Sequence, residues 1–308
     1  MKKVLSLILA LALCLSFGAC SGETEQPEVN KPATTPPPAI GTPVEMAEQV
    51  LYDAGGIVIT ATRLAFDKKS EDICAKFFYE VANNTDSDIQ VSQLTFDVNG
   101  LSTHTPARVD VYPKGKTVED AVTINQNCAQ WNDIRVMKEI AFSLKIEACH
   151  ENPDVKDSYL VDEVLVANTG RLTATTKYAE TYPDHRQAKD TDGAVLFQNE
   201  QIALIFTEVY TTTAPSLKNL NATMYCQNTY EFPVHMEFTV QKINGKAISP
   251  QNNLVKFPLQ SEGFRNWFEG NIDADKIDSM EFTYRVTNAL TGEVLLESNT
   301  PRILTFRS

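Results

Sequence analysis

The sequence predicts an all-β chain built from two similar antiparallel β-sandwiches in tandem. Three observations predict it: apolar residues recur with a period of two, a set of landmarks returns about 145 residues later, and Asn-Gly pairs close alternating strands.

The period comes first. Ile73, Ala75, Phe77, Tyr79 and Val81 alternate with Cys74, Lys76 and Glu80, and Ile140, Phe142, Leu144 and Ile146 alternate with Ala141, Ser143, Lys145 and Glu147. Successive side chains of a strand point to opposite faces, so this pattern gives each strand one buried and one wet face. Asn99-Gly100 and Asn244-Gly245 supply residues that tolerate positive φ, as tight hairpins require. Several such strands per copy, with few helical stretches, bury their apolar faces most simply as a sandwich.

The repeat keeps its order. Val50-Leu51-Tyr52-Asp53 leads into Ile57-Val58-Ile59, and Val195-Leu196-Phe197-Gln198 leads into Ile202-Ala203-Leu204, an offset of 195 − 50 = 145. Asn84-Thr85 matches Asn228-Thr229, Asn99-Gly100 matches Asn244-Gly245, and the segment Glu139 to Ile146 matches Ser279 to Val286. The late Glu163-Val164-Leu165 matches Glu293-Val294-Leu295 at a shorter offset. Two copies at so long a period indicate duplicated domains rather than a solenoid.

Ahead of the repeat, Lys2 and Lys3 precede an apolar stretch from Val4 to Phe17, too short for a membrane span, that ends at Gly18-Ala19-Cys20. Phe17-Gly18-Ala19-Cys20 resembles a bacterial lipobox, with small residues before the cysteine and Phe17 where leucine is usual. The resemblance implies cleavage after Ala19 and lipidation of Cys20, placing the chain on the extracytoplasmic face of a cell membrane. Ser21 onward is rich in Glu, Pro and Thr, including Pro36-Pro37-Pro38, and reads as a disordered spacer.

The expected organisation is therefore a signal over 1–19, a spacer over 20–44, a first sandwich over 45–175, a linker over 176–192 and a second sandwich over 193–308. Removing Lys2 and Lys3 leaves 27 − 2 = 25 basic residues against 40 acidic ones, a balance of −15. Phosphate recognition draws on Lys and Arg clusters, so this charge argues against nucleic acid as a partner.

The Val50 to Ile59 strand, the segment Asn83-Asn84-Thr85-Asp86-Ser87-Asp88-Ile89-Gln90-Val91, the Val98-Asn99-Gly100 turn and the Ile140 to Leu144 strand together resemble the tandem immunoglobulin-like lipoproteins of Gram-positive, chiefly clostridial, bacteria. The resemblance implies two immunoglobulin-like sandwiches and a surface address, and transfers no catalytic residue. The second copy departs at Tyr230-Glu231-Phe232-Pro233.

Residues that could carry chemistry are few. His104, His150, His185 and His235 form no close metal pair, and no nucleophile elbow or glycine-rich phosphate loop is present, so no catalytic residue, metal or cofactor is expected. Asn271, Asp273, Asp275 and Asp278 have calcium-loop spacing, but Lys276 stands where the turn glycine belongs, and turn-forming carboxylates are the simpler reading. Cys74, Cys128, Cys149 and Cys226 do not match between copies; Cys74 and Cys149 fall on the polar phase and could pair or stay free. Trp131 and Trp267 each precede the late strand of their copy, which suggests a plug at the open end of the sandwich or, if exposed, a stacking surface for sugars. Phe264, Trp267 and Phe268 form the densest aromatic cluster and are the expected contact point for a ligand.

Three classes of function follow: a non-enzymatic surface module binding or scaffolding a protein or glycan, a substrate-capturing accessory of a transporter or secreted enzyme, and an enzyme assembled from distant carboxylates.

Overall fold

In the computed structural model, residues 39–66, 73–103, 109–156, 158–177, 191–214, 217–269 and 276–306 are described. The signal, Cys20 and most of the spacer lie outside them, as do His104, His185 and 271–275 of the calcium-like spacing.

The first copy contains β1 (Gln49–Ala54), β2 (Ile57–Phe66), β3 (Ile73–Asn83), β4 (Asp88–Val98), β5 (Leu101–Ser102), β6 (Val109–Tyr112), β7 (Lys116–Asn125), the short helix α1 (Gln126–Trp131), β8 (Glu139–Glu151), β9 (Tyr159–Asn168) and β10 (Leu172–Thr175). The second contains β11 (Ala194–Gln198), β12 (Ile202–Ala214), β13 (Leu217–Asn228), β14 (Val234–Ile243), β15 (Lys246–Phe257), β16 (Ser261–Glu269), β17 (Ser279–Asn288) and β18 (Val294–Thr305).

One sheet of the first copy runs β1-β2-β3-β7, and its counterpart in the second runs β11-β12-β13-β16. The facing sheets are β8 with β4, flanked by β9 and β10 on one edge and by β5 and β6 on the other, and β15-β14-β17-β18. Each copy is thus an antiparallel Greek-key sandwich of immunoglobulin type, with an added first hairpin. Its interior is filled from both sheets: Phe77, Phe96 and Phe142 centre the first core, and Phe206, Phe238 and Phe282 the second. The fold is all-β, as the period predicts.

Irregularities repeat with the strands. A register shift at Val50/Tyr52 returns at Val195/Phe197, and one at Ala61/Arg63 returns at Phe206/Glu208. The Asn-Gly turns are also duplicated. Asn99 and Asn244 have φ of 56° and 50°. Asn99 Oδ1 accepts from the N–H groups of Lys138 and Glu139 at 2.8 and 3.0 Å, and Asn244 Oδ1 accepts from those of Asp278 and Ser279 at 2.8 and 3.1 Å.

One expected match shifts by a residue. Asn83, not Asn84, is the partner of Asn228: both are fully buried, and each Nδ2 donates to the carbonyl four residues on, Ser87 at 2.9 Å and Phe232 at 3.0 Å. The second Nδ2 bond goes to the Tyr112 carbonyl in one copy and to the Pro258 carbonyl in the other. The buried amide closes the bend by which the chain changes sheets, satisfying carbonyls that the strand ladders leave open.

The spacer boundary also moves. Gly41 N–H donates to the Ile134 carbonyl at 3.0 Å, Thr42 N–H donates to that of Arg135 at 2.7 Å, and Val44 is buried, so the chain joins the first sandwich ahead of Glu45. At the other end, Thr176 and Lys177 still bond to Lys138 and Glu45.

Candidate functional site

The two sandwiches are joined edge to edge. β16 of the second copy lies beside β5 of the first, with Glu262 opposite Leu101, so one ten-stranded sheet crosses both copies. The contact is closed by the end of α1. Asn125 caps that helix with its side chain, accepting from Asn127 N–H at 2.8 Å, and the cap at the other end is Asn132.

Asn132 is fully buried. Its Oδ1 accepts from Phe264 N–H at 2.7 Å, and its Nδ2 donates to the Phe264 carbonyl at 3.2 Å. A side-chain amide therefore replaces the strand that would otherwise pair with β16. Gly263 is needed beside it, because a Cβ there would stand 3.0 Å from Asn132 Oδ1 and 3.1 Å from the Ser102 carbonyl oxygen. Arg265 crosses the same joint, donating from Nη2 to Ser102 Oγ and, at 3.1 Å, to the Lys256 carbonyl. Burial holds its guanidinium below its usual pKa.

An apolar layer seals the outside of this joint. Ala203, Ile205, Tyr225 and Phe264 face outward from the second copy, and Trp131 of α1 packs on them. The offset of 145 assigns their first-copy equivalents as Val58, Thr60, Glu80 and Glu119. Where the first copy faces solvent, three of these four positions are polar; where the second is covered, the same three are Ile or aromatic.

The expected aromatic contact point is not an exposed cluster. Phe264 is 4% exposed and belongs to the joint, and Trp267 is 7% exposed and belongs to the second core. The side chain of Phe268 lies outside the described set. Trp267 sits edge-on to Phe206 and Phe238, at centroid distances of 6.2 and 5.6 Å, and its Nε1–H donates to Asn253 Oδ1 at 2.9 Å.

Register explains why the sequence places a tryptophan there. Phe77 lies opposite Val122 in the first copy, and Ala222 lies opposite Trp267 in the second. Large and small have exchanged strands while the pair still fills the same space, as close-packed cores demand. Trp131 is therefore not the counterpart of Trp267. One lies on a helix and packs against the other copy, while the other lies within a strand.

The remaining candidates are placed separately. Cys74, Cys149 and Cys226 are free and buried, and Cys128 is buried. A register shift beside Cys74 turns it inward from the polar phase that the sequence assigns it, whereas Cys149 keeps an unbroken register with β4 and is buried on that phase. Burial raises the Cys149 thiol to about 11 and the Cys226 thiol to about 12. His150 Nδ1 lies 2.5 Å from Asp162 Oδ1 on exposed strand ends. Among the described residues no group of His, Cys, Asp or Glu could hold a metal ion, and no helix is long and apolar enough to cross a membrane.

A groove of about 350 Å³ opens at the joint. Gly100 of the first copy forms one wall; the end of β13, with Gln227 and Thr229, and the turn into β16, with Gln260 and Glu262, form the others. Asn228 and Ser261 also line it but are tied to the Pro258 carbonyl. Glu262 Oε2 accepts from Tyr225 OH at 2.5 Å. Sequence reasoning missed this groove because its walls come from both copies.

No family model matches the chain, and no curated protein matches it. Similar solved structures include the calcium-binding domain CBD12 of CALX1.1, at 13% identity over 71% of this chain and 76% of that one, with a TM-score of 0.19. The YadV chaperone is 12% identical over 80% of this chain and all of that one, with a TM-score of 0.23. The periplasmic chaperone SfaE is 15% identical over 79% and 97%, with a TM-score of 0.21. These likenesses concern the all-β fold and carry no ligand or activity across.

Proposed function

We propose that the chain is an exported lipoprotein, anchored by lipid on Cys20 to the extracytoplasmic face of the cell membrane, and acts as a non-enzymatic binding or scaffolding module for a protein or glycan. One observation carries the reading: the two sandwiches share a continuous sheet and an apolar seal, which fixes a polar groove between them. A preorganised surface loses less entropy on binding than two sandwiches on a loose tether. The groove also favours a second reading, a substrate-capturing accessory of a transporter or secreted enzyme, since pockets at domain joints commonly hold small ligands.

The test is a pull-down from surface and secreted material with the detergent-solubilised full-length chain, using Thr229→Lys as the control because Thr229 is exposed at the groove. Capture lost in Thr229→Lys with unchanged melting supports a groove-centred binding role; capture indifferent to Thr229→Lys moves the role to another surface. Palmitate incorporation that disappears in Cys20→Ala supports the anchor, and incorporation unaffected by Cys20→Ala overturns it.

A further inference from the structure

We infer that the groove at the joint is a saccharide subsite for a neutral, polyhydroxylated ligand, with Gln260 as its specificity-determining side chain. The inference rests on the binding-module reading and names the ligand class of that site.

The lining chemistry comes first. Gln227 and Gln260 each offer an amide donor and an amide acceptor, the Thr229 hydroxyl, which donates to the Gln201 carbonyl at 3.2 Å, offers an acceptor, and Glu262 offers a carboxylate that only accepts. Among the described residues no Lys, Arg or His lines the groove, which leaves an anionic ligand without a counter-charge from them. Among the described residues no large apolar side chain lines it either, which leaves a lipid or aromatic ligand without a contact face from them. Sugar hydroxyls both donate and accept, and so suit mixed amide, hydroxyl and carboxylate partners.

The backbone supplies a second, independent observation. Among the described residues, the non-glycine positions with positive φ are Asn99, Asp133, Asn244 and Gln260. Asn and Asp tolerate the left-handed region through local hydrogen bonds, whereas glutamine gains no such relief there. Gln260, at φ of 46°, occupies a turn position where glycine would cost less, and its exposed side chain lies at the groove. A side chain held at that cost, at the mouth of a cavity, is explained by what it contacts.

The experiment uses calorimetry and saccharide-observed saturation-transfer NMR on the full-length chain. The probes are short neutral oligosaccharides of hexoses and N-acetylhexosamines, with uronic-acid oligosaccharides as the anionic control. Neutral probes are expected to bind and the anionic control to fail. Gln260→Gly should weaken binding by up to about tenfold, the size of one or two lost hydrogen bonds, while leaving the melting temperature unchanged or higher. Thr229→Lys should abolish the signal. Failure of every neutral probe, or equal binding of the anionic control, overturns the ligand class. Neutral binding indifferent to both variants overturns the site. In either case a protein captured in the pull-down leaves the binding-module reading standing.

Discussion

The side-chain amide of Asn132 pairs with both backbone groups of Phe264, 132 residues away, and so serves as the outer strand of the second copy's sheet at that point. Both Phe264 groups are buried, so removing their partner exposes the full cost of leaving them unpaired. Asn132→Ala is expected to destabilise the chain by about 2–4 kcal/mol, read as a lowered denaturation midpoint. Asn132→Asp should fail to rescue it, because a carboxylate cannot donate to the Phe264 carbonyl. A change below about 0.5 kcal/mol in either variant would mean that the joint does not depend on this pair.

The second sandwich alone should not remain monomeric. Separated from Trp131, it exposes Ile205, Tyr225 and Phe264, a contiguous apolar face of the kind that drives association. Sedimentation of residues 193–308 is expected to show self-association, and Ile205→Thr with Phe264→Glu, the residues that the first copy carries at these positions, should restore a monomer. In the intact chain the same pair should weaken the joint.

His235 makes stability depend on pH. Burial, reinforced by Lys256, lowers its pKa from 6.5, so the unfolded chain binds the proton more tightly than the folded one. Stability from this group is present above pH 6.5 and is lost as the pH falls toward the depressed folded value. The first copy carries Gln90 at the equivalent position, and His235→Gln should flatten the acid limb of the stability profile between those two pH values. An unchanged slope would show that other groups set it.

The cysteines should be silent until the chain unfolds. Cys74, Cys128, Cys149 and Cys226 are buried, and burial raises the thiols of Cys74, Cys149 and Cys226 away from the thiolate that reacts. A disulfide-exchange reagent at neutral pH is expected to label none of them in the native chain and all of them in denaturant. Native labelling at Cys149 would show that the β8–β9 edge opens.

Strand faces were legible because burial on one side writes a period of two, and the duplication was legible because turn residues with special backbone angles, such as Asn99 and Asn244, tolerate few substitutes. The joint left a fainter mark. Ala203-Leu204-Ile205-Phe206 is apolar without alternation, the sign of a strand covered on both faces. Comparing Glu119 with Phe264 at equal positions would have shown which face was covered. Helix α1 is too short for any helical period to emerge. Asn83 and Asn84 are chemically identical neighbours, and only the bend in space tells which one turns inward. The aromatic cluster misled because Phe264 and Trp267, three residues apart, point to opposite faces of the same strand.

The strap at Gly41 and Thr42 has a mechanical consequence. It bonds to Ile134 and Arg135, immediately beyond Asn132, so a pull through residues upstream of Ala39 enters the first sandwich beside the joint. Thr42 and Val136 form a parallel bridge, so such a load shears the bonds to Ile134 and Arg135 together rather than peeling them one at a time. A load applied there and resisted at the groove, whose walls are mostly of the second sandwich, therefore crosses the joint without running the length of the first sandwich.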